Sequence, residues 1–292
     1  MKTILFGKKT DSQSIESVQQ IVNLVYRQSE EVYVYEKFYN NIVSELDFPQ
    51  NPNLISDIDK IKENADFLIS IGGDGTFLDA ASLVKFSDIP ILGINTGRLG
   101  FLSSVNEKDT EKALSSLKNN AYKLHKRMLL QLNSDTLGGE SYALNDICIQ
   151  RVSESASMIT IEVAIDDKHL NTYWCDCLII STPTGSTAYS LSCGAPIIVP
   201  DSEVFLLTPI APHSLTVRPI IIPSTCKIDV KVKGRNNNKF LLAVDSSLSI
   251  METNKNITIR KSSNYVNVVL LKNQNFFKTI SQKLMWGIDR RG

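Results

Sequence analysis

The sequence has no excess of charge of either sign and no long apolar run. Lys and Arg together number 31, and Asp and Glu together number 31, so the formal net charge at pH 7 is zero. Proteins that bind nucleic acid or anionic membranes non-specifically need a basic excess. The apolar runs fall short of the roughly 18 residues that cross a bilayer, and the first of them, Thr3–Phe6, is too short for a signal peptide. We therefore expect neither nucleic acid nor a membrane as a partner.

Cysteine is also scarce, and its spacing argues against two kinds of site. The chain has five cysteines, an odd number, scattered over 292 residues, which is not the pattern of a disulfide framework. Cys175 and Cys177 lack the second pair that a zinc site needs, and the three histidines lie far apart in the sequence. We predict free thiols and a cytoplasmic protein.

The first 121 residues carry the pattern of a parallel α/β domain. Hydrophobic residues make up 42% of the chain, enough for a buried core, and its length suggests about two domains. Continuously apolar strands alternate here with amphipathic helices, which is typical of a parallel sheet covered on both faces. The predicted strands are Thr3–Phe6, Val32–Tyr35, Asp66–Ile71 and Pro90–Ile94, and the predicted helices are Ile15–Gln28, with Ser14 as its cap, and Thr76–Val84.

Near residue 120 the pattern changes to short strands, several of which alternate apolar and polar residues. The predicted strands are Met128–Leu132, Ser141–Ile149, Met158–Ile165, Cys177–Ile180, Leu215–Pro219, Lys227–Val232, Phe240–Val244, Ile257–Arg260 and Val266–Leu271, with exposed turns at 138–139 and 234–238. We assign 122–274 to a mostly β domain. The tail carries a helical apolar stripe of Phe276, Phe277, Ile280 and Leu284. We expect 275–292 to pack back on the first domain, 1–121.

The strongest chemical signal is the segment Ile71–Thr76, which reads Ile-Gly-Gly-Asp-Gly-Thr between a buried strand and a helix. Its glycines let the backbone approach a phosphate, and the helix N-terminus offers free N–H groups. Asp74 does not suit a plain phosphate loop, because its carboxylate repels the anion. Asp74 is either the cap of a glycine-rich turn, or a base or metal-organising group beside the phosphate.

Three further segments are candidate ligand contacts, although each also suits a structural turn or bulge. Gly93–Leu102 follows the next strand, where parallel strands line a binding crevice, and Arg98 is its anion handle. Asn145 and Asp146 interrupt an apolar strand, which is costly unless they are paired or hold a ligand such as a sugar diol. Asp176–Ser192 runs from a strand into a dense cluster of hydroxyls, which suit base edges and riboses.

In this order the four segments resemble the NAD kinase family, in its bacterial form. The matching stretches are Gly72–Thr76, Asn95–Leu102, Asn145–Asp146, Ser181–Tyr189 and Ile210–Pro219. The first is shared with phosphofructokinases and lipid kinases, while the hydroxyl-rich stretch is far more specific. The resemblance implies an α+β, two-domain fold. An N-terminal α/β parallel-sheet domain of Rossmann or phosphofructokinase-like type is followed by a mostly β, sandwich-like domain, with the nucleotide between them.

The resemblance also implies an activity. The family transfers a phosphoryl group to the adenosine-ribose 2′-hydroxyl of NAD, forming NADP, with ATP or polyphosphate as donor and a divalent cation, Mg²⁺, as cofactor. NAD and ATP are then the small-molecule partners, and the protein is a homodimer or homotetramer. Positive charge at the phosphates comes from the cation, from backbone N–H groups and from a few residues such as Arg98 or Arg127.

Residue roles follow from the matching positions. Asp74 is expected to be the general base and Gly75 to contact the dinucleotide. Asp176 is expected to face the nicotinamide riboside, often of a neighbouring subunit, with Ala211 across the interface. The loop for the donor phosphates consists of Gly72, Gly73, Gly75 and Thr76, the adenosine is held by Asn145 and Asp146, and the adenine pocket is lined by Thr184, Thr187, Ala188, Tyr189 and Ser192.

Three positions depart from the family pattern. Cys177 stands where the family commonly has glycine, Asp79 where it often has a basic residue, and Ser247 where it often has glutamine. Two other functions stay open. One is a lipid kinase of the diacylglycerol type, which shares the Gly-Gly-Asp-Gly loop. The other is a dinucleotide-binding sensor with a decayed kinase site.

Overall fold

The structure, a computed structural model, describes residues 1–8, 14–49, 51–57, 65–97, 99–134, 139–152, 157–233, 238–272 and 274–286. The chain divides into two compact units. The first consists of Met1–Lys126 together with Val266–Gly292, and the second of Arg127–Tyr265. None of the helices in these described ranges combines the length and the apolar character that crossing a bilayer requires.

The first unit is an α/β domain on a parallel sheet. Its strands are β1 (Lys2–Gly7), β2 (Glu31–Tyr35), β3 (Asn53–Ile55), β4 (Phe67–Ile71), β5 (Ile91–Asn95) and β6 (Val105–Asn106), and its first four helices are α1 (Ile15–Gln28), α2 (Glu36–Ile42), α3 (Asp74–Val84) and α4 (Thr110–Lys118). The strand order is β5-β4-β1-β2-β3, with β6 also on β5, and every pair is parallel. The order reverses at β1, so the carboxyl ends of β1 and β4 form the kind of crevice where open sheets bind ligands.

The sequence prediction is confirmed for β1, β2, β4 and β5 and for α1 and α3, whereas the short strands β3 and β6 were not predicted. Ser14 does not cap α1 as predicted, because its backbone is already helical and its hydroxyl makes no capping hydrogen bond. Helix α3 begins at Asp74, two residues earlier than predicted. Helices α2 and α4 were not predicted, because both are short and mostly polar in sequence.

The second unit is a mostly β domain of two sheets. Its elements are β7 (Tyr122–Ser134, which begins in the first unit), β8 (Gly139–Ala143), β9 (Asp146–Arg151), β10 (Ile159–Ile165), β11 (Lys168–Cys175), β12 (Cys177–Ser181), a short helix α5 (Tyr189–Ser192), β13 (Val204–Ile210), β14 (Ile220–Pro223), β15 (Ile228–Lys233), β16 (Lys239–Val244), β17 (Ser247–Glu252) and β18 (Asn256–Leu271). One sheet has the antiparallel order β14-β13-β12-β9-β16-β17, and the other contains β11-β10-β15-β18 with β7 and β8 beside them. Buried side chains of both sheets form one core, as in a sandwich.

Three predictions for this unit need correction. The predicted strand Ser141–Ile149 is two strands, β8 and β9, which are separated at Leu144 and Asn145. The predicted strand Leu215–Pro219 is a turn region, and Leu215 is 87% exposed. The predicted strands Ile257–Arg260 and Val266–Leu271 are parts of the single strand β18. The predicted turns at 138–139 and 234–238 lie mostly outside the described residues.

The end of the chain returns to the first unit. Val268 of β18 pairs with Ile91 of β5 in parallel register, and the sixth helix, α6 (Phe276–Leu284), follows. The predicted apolar stripe on this helix is narrower than expected. Ile280 is buried, but Phe277 is 66% and Leu284 37% exposed.

Candidate active site

The carboxylate of Asp74 is held by the loop that follows β5. Three consecutive backbone N–H groups donate to it, Phe101 to Oδ2 at 2.8 Å, Leu102 to Oδ1 at 3.0 Å and Ser103 to Oδ1 at 2.9 Å. Asp74 makes no side-chain cap on its own helix. The structure therefore joins two of the segments that the sequence singled out separately, and it decides against the reading of Asp74 as a simple helix cap.

The glycines around Asp74 fall into two classes. Gly72 needs glycine for its backbone, with φ of +139°, and Gly100 needs it because a Cβ there would lie 1.9 Å from Asp74 Oδ1. A Cβ on Gly73 or Gly75 would meet nothing within 4 Å. Gly73 and Gly75 therefore border open space at the N-terminus of α3, where a phosphate fits, while Thr76 is buried.

Two ion pairs involve acidic residues of helix α3. Lys283 of α6 places its Nζ 3.5 Å from Asp74 Oδ2 and 4.4 Å from the ring centroid of Phe101. Asp79, which stands where the family often has a basic residue, forms an ion pair of 2.5 Å with Lys8 at the end of β1. Arg98, the predicted anion handle, lies outside the described residues.

In the second unit, Asp245 organises the predicted adenosine-binding residues. Its carboxylate accepts hydrogen bonds from the N–H groups of Leu144 (2.7 Å), Asn145 (2.8 Å) and Asp146 (3.1 Å). Its backbone has φ of 49°. Asp245 was not among the predicted site residues. The sequence feature that could have identified it is an acidic residue directly after the predicted strand Phe240–Val244.

Asp146 is a buried carboxyl in this cluster. It is 7% exposed, and its Oδ1 accepts a hydrogen bond from the Cys148 thiol at 3.2 Å. The pKa of Asp146 is raised to about 6, mainly by burial; the hydrogen bond from Cys148 opposes the rise, and the Asp245 carboxylate adds to it. A buried acid with a perturbed pKa, beside an acid that fixes its backbone, is a frequent mark of a functional site.

The hydroxyl-rich segment mainly fixes its own turn. Thr182 Oγ1 donates to the Leu144 carbonyl at 2.6 Å, and the Thr182 N–H donates to the Asn145 carbonyl at 2.9 Å. Ser186 Oγ donates to the Pro183 carbonyl at 2.7 Å and is fully buried. These hydroxyls are engaged with the backbone and cannot read a base edge, which corrects the general expectation for this cluster.

The five predicted adenine-pocket residues differ in exposure. Tyr189 and Ser192 are exposed, Thr187 and Ala188 are half-buried and Thr184 is buried. Gly185, within the same turn, passes very close to the preceding segment, because a Cβ there would lie 2.1 Å from the Asn145 carbonyl oxygen. The Asn145–Asp146 pair and this turn are thereby brought together in one cluster.

Asp176 and Ala211 lie next to each other across two strands. The Asp176 N–H donates to the carbonyl of Ile210, the neighbour of Ala211, at 3.0 Å, and the Asp176 carboxylate accepts from Arg151 Nε at 2.9 Å. Ala211 is exposed, with φ of 47°. Cys177, the departure beside Asp176, is buried and packs with Cys148.

Arg127 is not an open anion handle. It is 5% exposed, and burial lowers its pKa to about 10, an effect that Asp201 opposes. The expectation that Arg127 offers charge to the phosphates is therefore wrong for this conformation.

Two family models match the chain. The ATP-NAD kinase N-terminal domain matches residues 3–122, and the ATP-NAD kinase C-terminal domain matches residues 144–271. An NAD kinase of Bacteroides fragilis is 43% identical over 295 residues, and one of Flavobacterium psychrophilum is 38% identical over 295 residues, each alignment covering 100% of both chains.

Solved structures agree with this family. An NAD kinase from Archaeoglobus fulgidus in complex with ATP is 27% identical, with a TM-score of 0.73 and coverage of 98% of this chain and 99% of that one. The yeast NADH kinase complexed with NADH has a TM-score of 0.88 at 24% identity, covering 100% of this chain and 89% of that one, which shows the shared fold. The chain belongs to the ATP-NAD kinase family, whose phosphotransferase activity converts NAD to NADP.

Proposed function

We propose that the chain transfers the terminal phosphoryl group of ATP to the adenosine-ribose 2′-hydroxyl of NAD, with Asp74 as general base. The observation that carries this proposal is the way Asp74 is held. Oδ1 accepts two N–H groups and Oδ2 accepts one. Besides that single backbone donor, Oδ2 has among the described residues only the Lys283 ammonium, at the longer distance of 3.5 Å, and we assign the proton of the hydroxyl to this less engaged atom.

The base does not need to remove the hydroxyl proton before the phosphoryl transfer begins. A ribose hydroxyl is a very weak acid, and phosphoryl transfer passes through a loose transition state, so the proton moves late. General-base help of this kind is worth about 10²–10⁴-fold, or roughly 3–5 kcal/mol. The three backbone hydrogen bonds fix the carboxylate beforehand, so little reorganisation is needed during the reaction.

The start of α3 supports the donor site. Gly73 and Gly75 border open space, and α3 is 11 residues long, so its N-terminus presents free N–H groups and the positive end of a helix dipole. We propose that the donor's phosphates bind here, with Gly72 and Thr76 shaping the loop.

The residues present do not form a resident site for the expected divalent cation. Within the described ranges there is no group of three His, Cys, Asp or Glu side chains that could hold a metal ion, and the Asp74 carboxylate is already engaged by three N–H groups. Mg²⁺ is commonly bound mainly through the phosphates of a nucleotide. We expect the cation to arrive as part of the donor substrate.

Asn145 and Asp146 are proposed to hold the adenosine, next to a pocket of Thr184, Thr187, Ala188, Tyr189 and Ser192. The support is the fixed backbone at Asn145 and Asp146 and the turn packed against it. A carboxylate at Asp146 accepts hydrogen bonds from hydroxyl or amino groups. Asp176 and Ala211 are proposed to face the nicotinamide riboside.

We also propose a cytoplasmic homo-oligomer, a dimer or tetramer. The cysteines are free thiols, which suits a reducing compartment. The second unit exposes large apolar side chains, with Leu215 at 87%, Ile250 at 66% and Leu248 at 61% exposure, and such residues are frequent at subunit interfaces.

The test is NADP formation from NAD, Mg²⁺ and either ATP or polyphosphate, in wild type and Asp74→Asn. The variant is expected to lose roughly 10²–10⁴-fold in kcat while NAD affinity stays within a few-fold. Asn keeps the shape of the side chain, and thermal unfolding checks that it folds. An unchanged kcat in the folded variant contradicts the role of Asp74, and the second donor decides between ATP and polyphosphate.

A further inference from the structure

Helix α6 presents a cation on the same face as its packed apolar residues. Phe276, Ile280 and Lys283 follow the spacing i, i+4, i+7 and share one face. The ring of Phe276 lies 6.4 Å from that of Phe101, and Ile280 is 9% exposed. Lys283 completes this face, and 32% of its side chain is exposed. Solubility does not require a lysine here, because other positions of the helix already face water.

The ammonium of Lys283 reaches the carboxylate of Asp74. Its Nζ lies 3.5 Å from Oδ2 and 4.4 Å from the ring centroid of Phe101, which is the residue whose N–H also binds Oδ2. Among the described residues, Lys283 is the one whose side-chain cation lies within 4 Å of this carboxylate. The contact is to Oδ2, the oxygen to which the proposed function assigns the hydroxyl proton.

The helix is anchored to the loop that holds Asp74. Gln274 Nε2 donates to the Ser104 carbonyl at 2.8 Å, and Gln274 Oε1 accepts from the Leu271 N–H at 3.0 Å. Asn275 caps α6 by accepting from the Lys278 N–H at 2.8 Å. Contacts within the first unit therefore fix the position of helix α6, and with it the position of Lys283 beside Asp74.

We infer that Lys283 is a catalytic residue that binds the phosphoryl group during its transfer to the hydroxyl at Asp74. The inference rests on the proposed role of Asp74 as base. A hydroxyl that donates to Oδ2 lies about 3 Å from it, and the oxygens of the incoming phosphoryl group lie beside that hydroxyl. The negative charge of a loose transition state is spread over these oxygens, within reach of the ammonium.

In the proposed step, the hydroxyl oxygen forms a bond to the terminal phosphorus, and the bond from that phosphorus to the bridging oxygen of the donor breaks. The hydroxyl proton passes to Asp74 Oδ2. Lys283 keeps its protons throughout. It supplies positive charge in a chain with zero net charge, and its hydrogen bonds to phosphate oxygens are charge-assisted.

The experiment compares Lys283→Met and Lys283→Arg with Lys278→Met as matched control. Lys278 lies on the exposed side of the same helix. Lys283→Met is expected to lower kcat roughly 10- to 100-fold at every pH, with KM for NAD within about three-fold. Lys283→Arg restores part of the loss, and Lys278→Met behaves as wild type. If Lys283→Met does not fold, Lys283→Gln carries the same test.

Several outcomes overturn the inference. An unchanged kcat does so, as does a rise in KM for NAD with kcat preserved. A shift of the acid limb to higher pH with an intact plateau means that Lys283 only influences Asp74. An equal loss in Lys278→Met means damage to the helix. Asp74→Asn is measured alongside, because an active Asp74→Asn contradicts the base and with it the premise of this inference, whereas an inactive Asp74→Asn with an unimpaired Lys283→Met contradicts the role of Lys283 alone.

Discussion

Asp74 in the first unit and Asp245 in the second make the same kind of hydrogen-bond arrangement with a backbone segment. Each carboxylate accepts hydrogen bonds from three consecutive backbone N–H groups, at 2.8–3.0 Å around Asp74 and 2.7–3.1 Å around Asp245. The neighbours differ. Asp74 has the ammonium of Lys283 at 3.5 Å, whereas Asp245 has the second acid, Asp146, whose pKa it helps to raise.

The difference shows how one motif serves two purposes. Around Asp74 the loop positions the carboxylate for its proposed role as base. Around Asp245 the carboxylate positions the loop, so that Asn145 and Asp146 are presented in a fixed backbone. Hydrogen bonds of backbone N–H groups to a carboxylate are charge-assisted and hold either partner firmly. This assignment of roles is tested by substitutions at Gly185, Asp146, Gly100 and Arg151.

Gly185→Ala is expected to damage the fold of the second cluster. The added Cβ would lie 2.1 Å from the Asn145 carbonyl oxygen, a backbone atom that cannot move alone. We expect a loss of about 3 kcal/mol in the free energy of unfolding, measured by urea denaturation. Gly139→Ala, whose Cβ meets nothing within 4 Å, is the control. Equal stability of the two variants would show that the Gly185 turn yields easily.

The buried acid Asp146 is expected to make stability fall with rising pH. Its pKa is raised from 3.8 to about 6 in the folded protein, so the folded state binds more protons than the unfolded state between about pH 4 and pH 6. The free energy of unfolding therefore decreases through that window, by about 3 kcal/mol for this group. Asp146→Asn removes this contribution, so the variant gains stability over wild type as the pH rises.

Urea unfolding of wild type and Asp146→Asn between about pH 4.5 and pH 7 measures this difference. Asp245→Asn is the companion variant. It removes the nearby negative charge, so the pKa of Asp146 is expected to move back toward its ordinary value. Parallel curves for wild type and Asp146→Asn would contradict the raised pKa.

Gly100→Ala is expected to impair turnover more than folding. Its Cβ would lie 1.9 Å from Asp74 Oδ1, a side-chain atom that can be displaced. Moving a catalytic group by about 1 Å costs roughly 100-fold in kcat, or about 2.7 kcal/mol. Steady-state kinetics with NAD and ATP measure the loss. Gly97→Ala, whose Cβ has Asn95 Oδ1 as its nearest neighbour at 3.8 Å, should keep wild-type kcat.

Arg151→Met is expected to change stability least. Arg151 and Asp176 form an ion pair of 2.9 Å, but their side chains are 34% and 42% exposed. Exposed pairs contribute little, so the free energy of unfolding should change by less than about 1 kcal/mol. Thermal or urea unfolding measures it, and a loss as large as that of Gly185→Ala would mean that this pair is a structural element of its sheet.

Much of the fold could be predicted because the local pattern of apolar residues determines which segments form strands and helices. Continuous apolar runs identified β1, β2, β4 and β5, and the spacing of Val18, Val22 and Val25 identified α1, whose side chains there are buried. Strands β3, β6, β11, β13, β14 and β17 were missed. Leu248 and Ile250 of β17 are exposed on an edge strand, so their apolar side chains do not mark a core-facing side of the strand.

The site was predictable in its motifs and not in its contacts. Asp74 stood out because a carboxylate is unexpected in a phosphate loop. That Phe101, Leu102 and Ser103 would hold it is a tertiary fact, since 27 to 29 residues separate donor and acceptor. Asp245 lies about 100 residues from the groups it binds. Lys283 was not predicted, because the helix was identified only by its apolar residues.

The order in which the chain is synthesised gives β18 and α6 a further meaning. The first unit needs residues from Val266 onward, including the strand that pairs with β5 and the helix that carries Lys283. A ribosome adding about 5–20 residues per second makes the whole second unit before these residues appear. A nascent chain therefore carries Asp74 for some time without its ammonium partner, and the centre becomes complete only after both units have been translated.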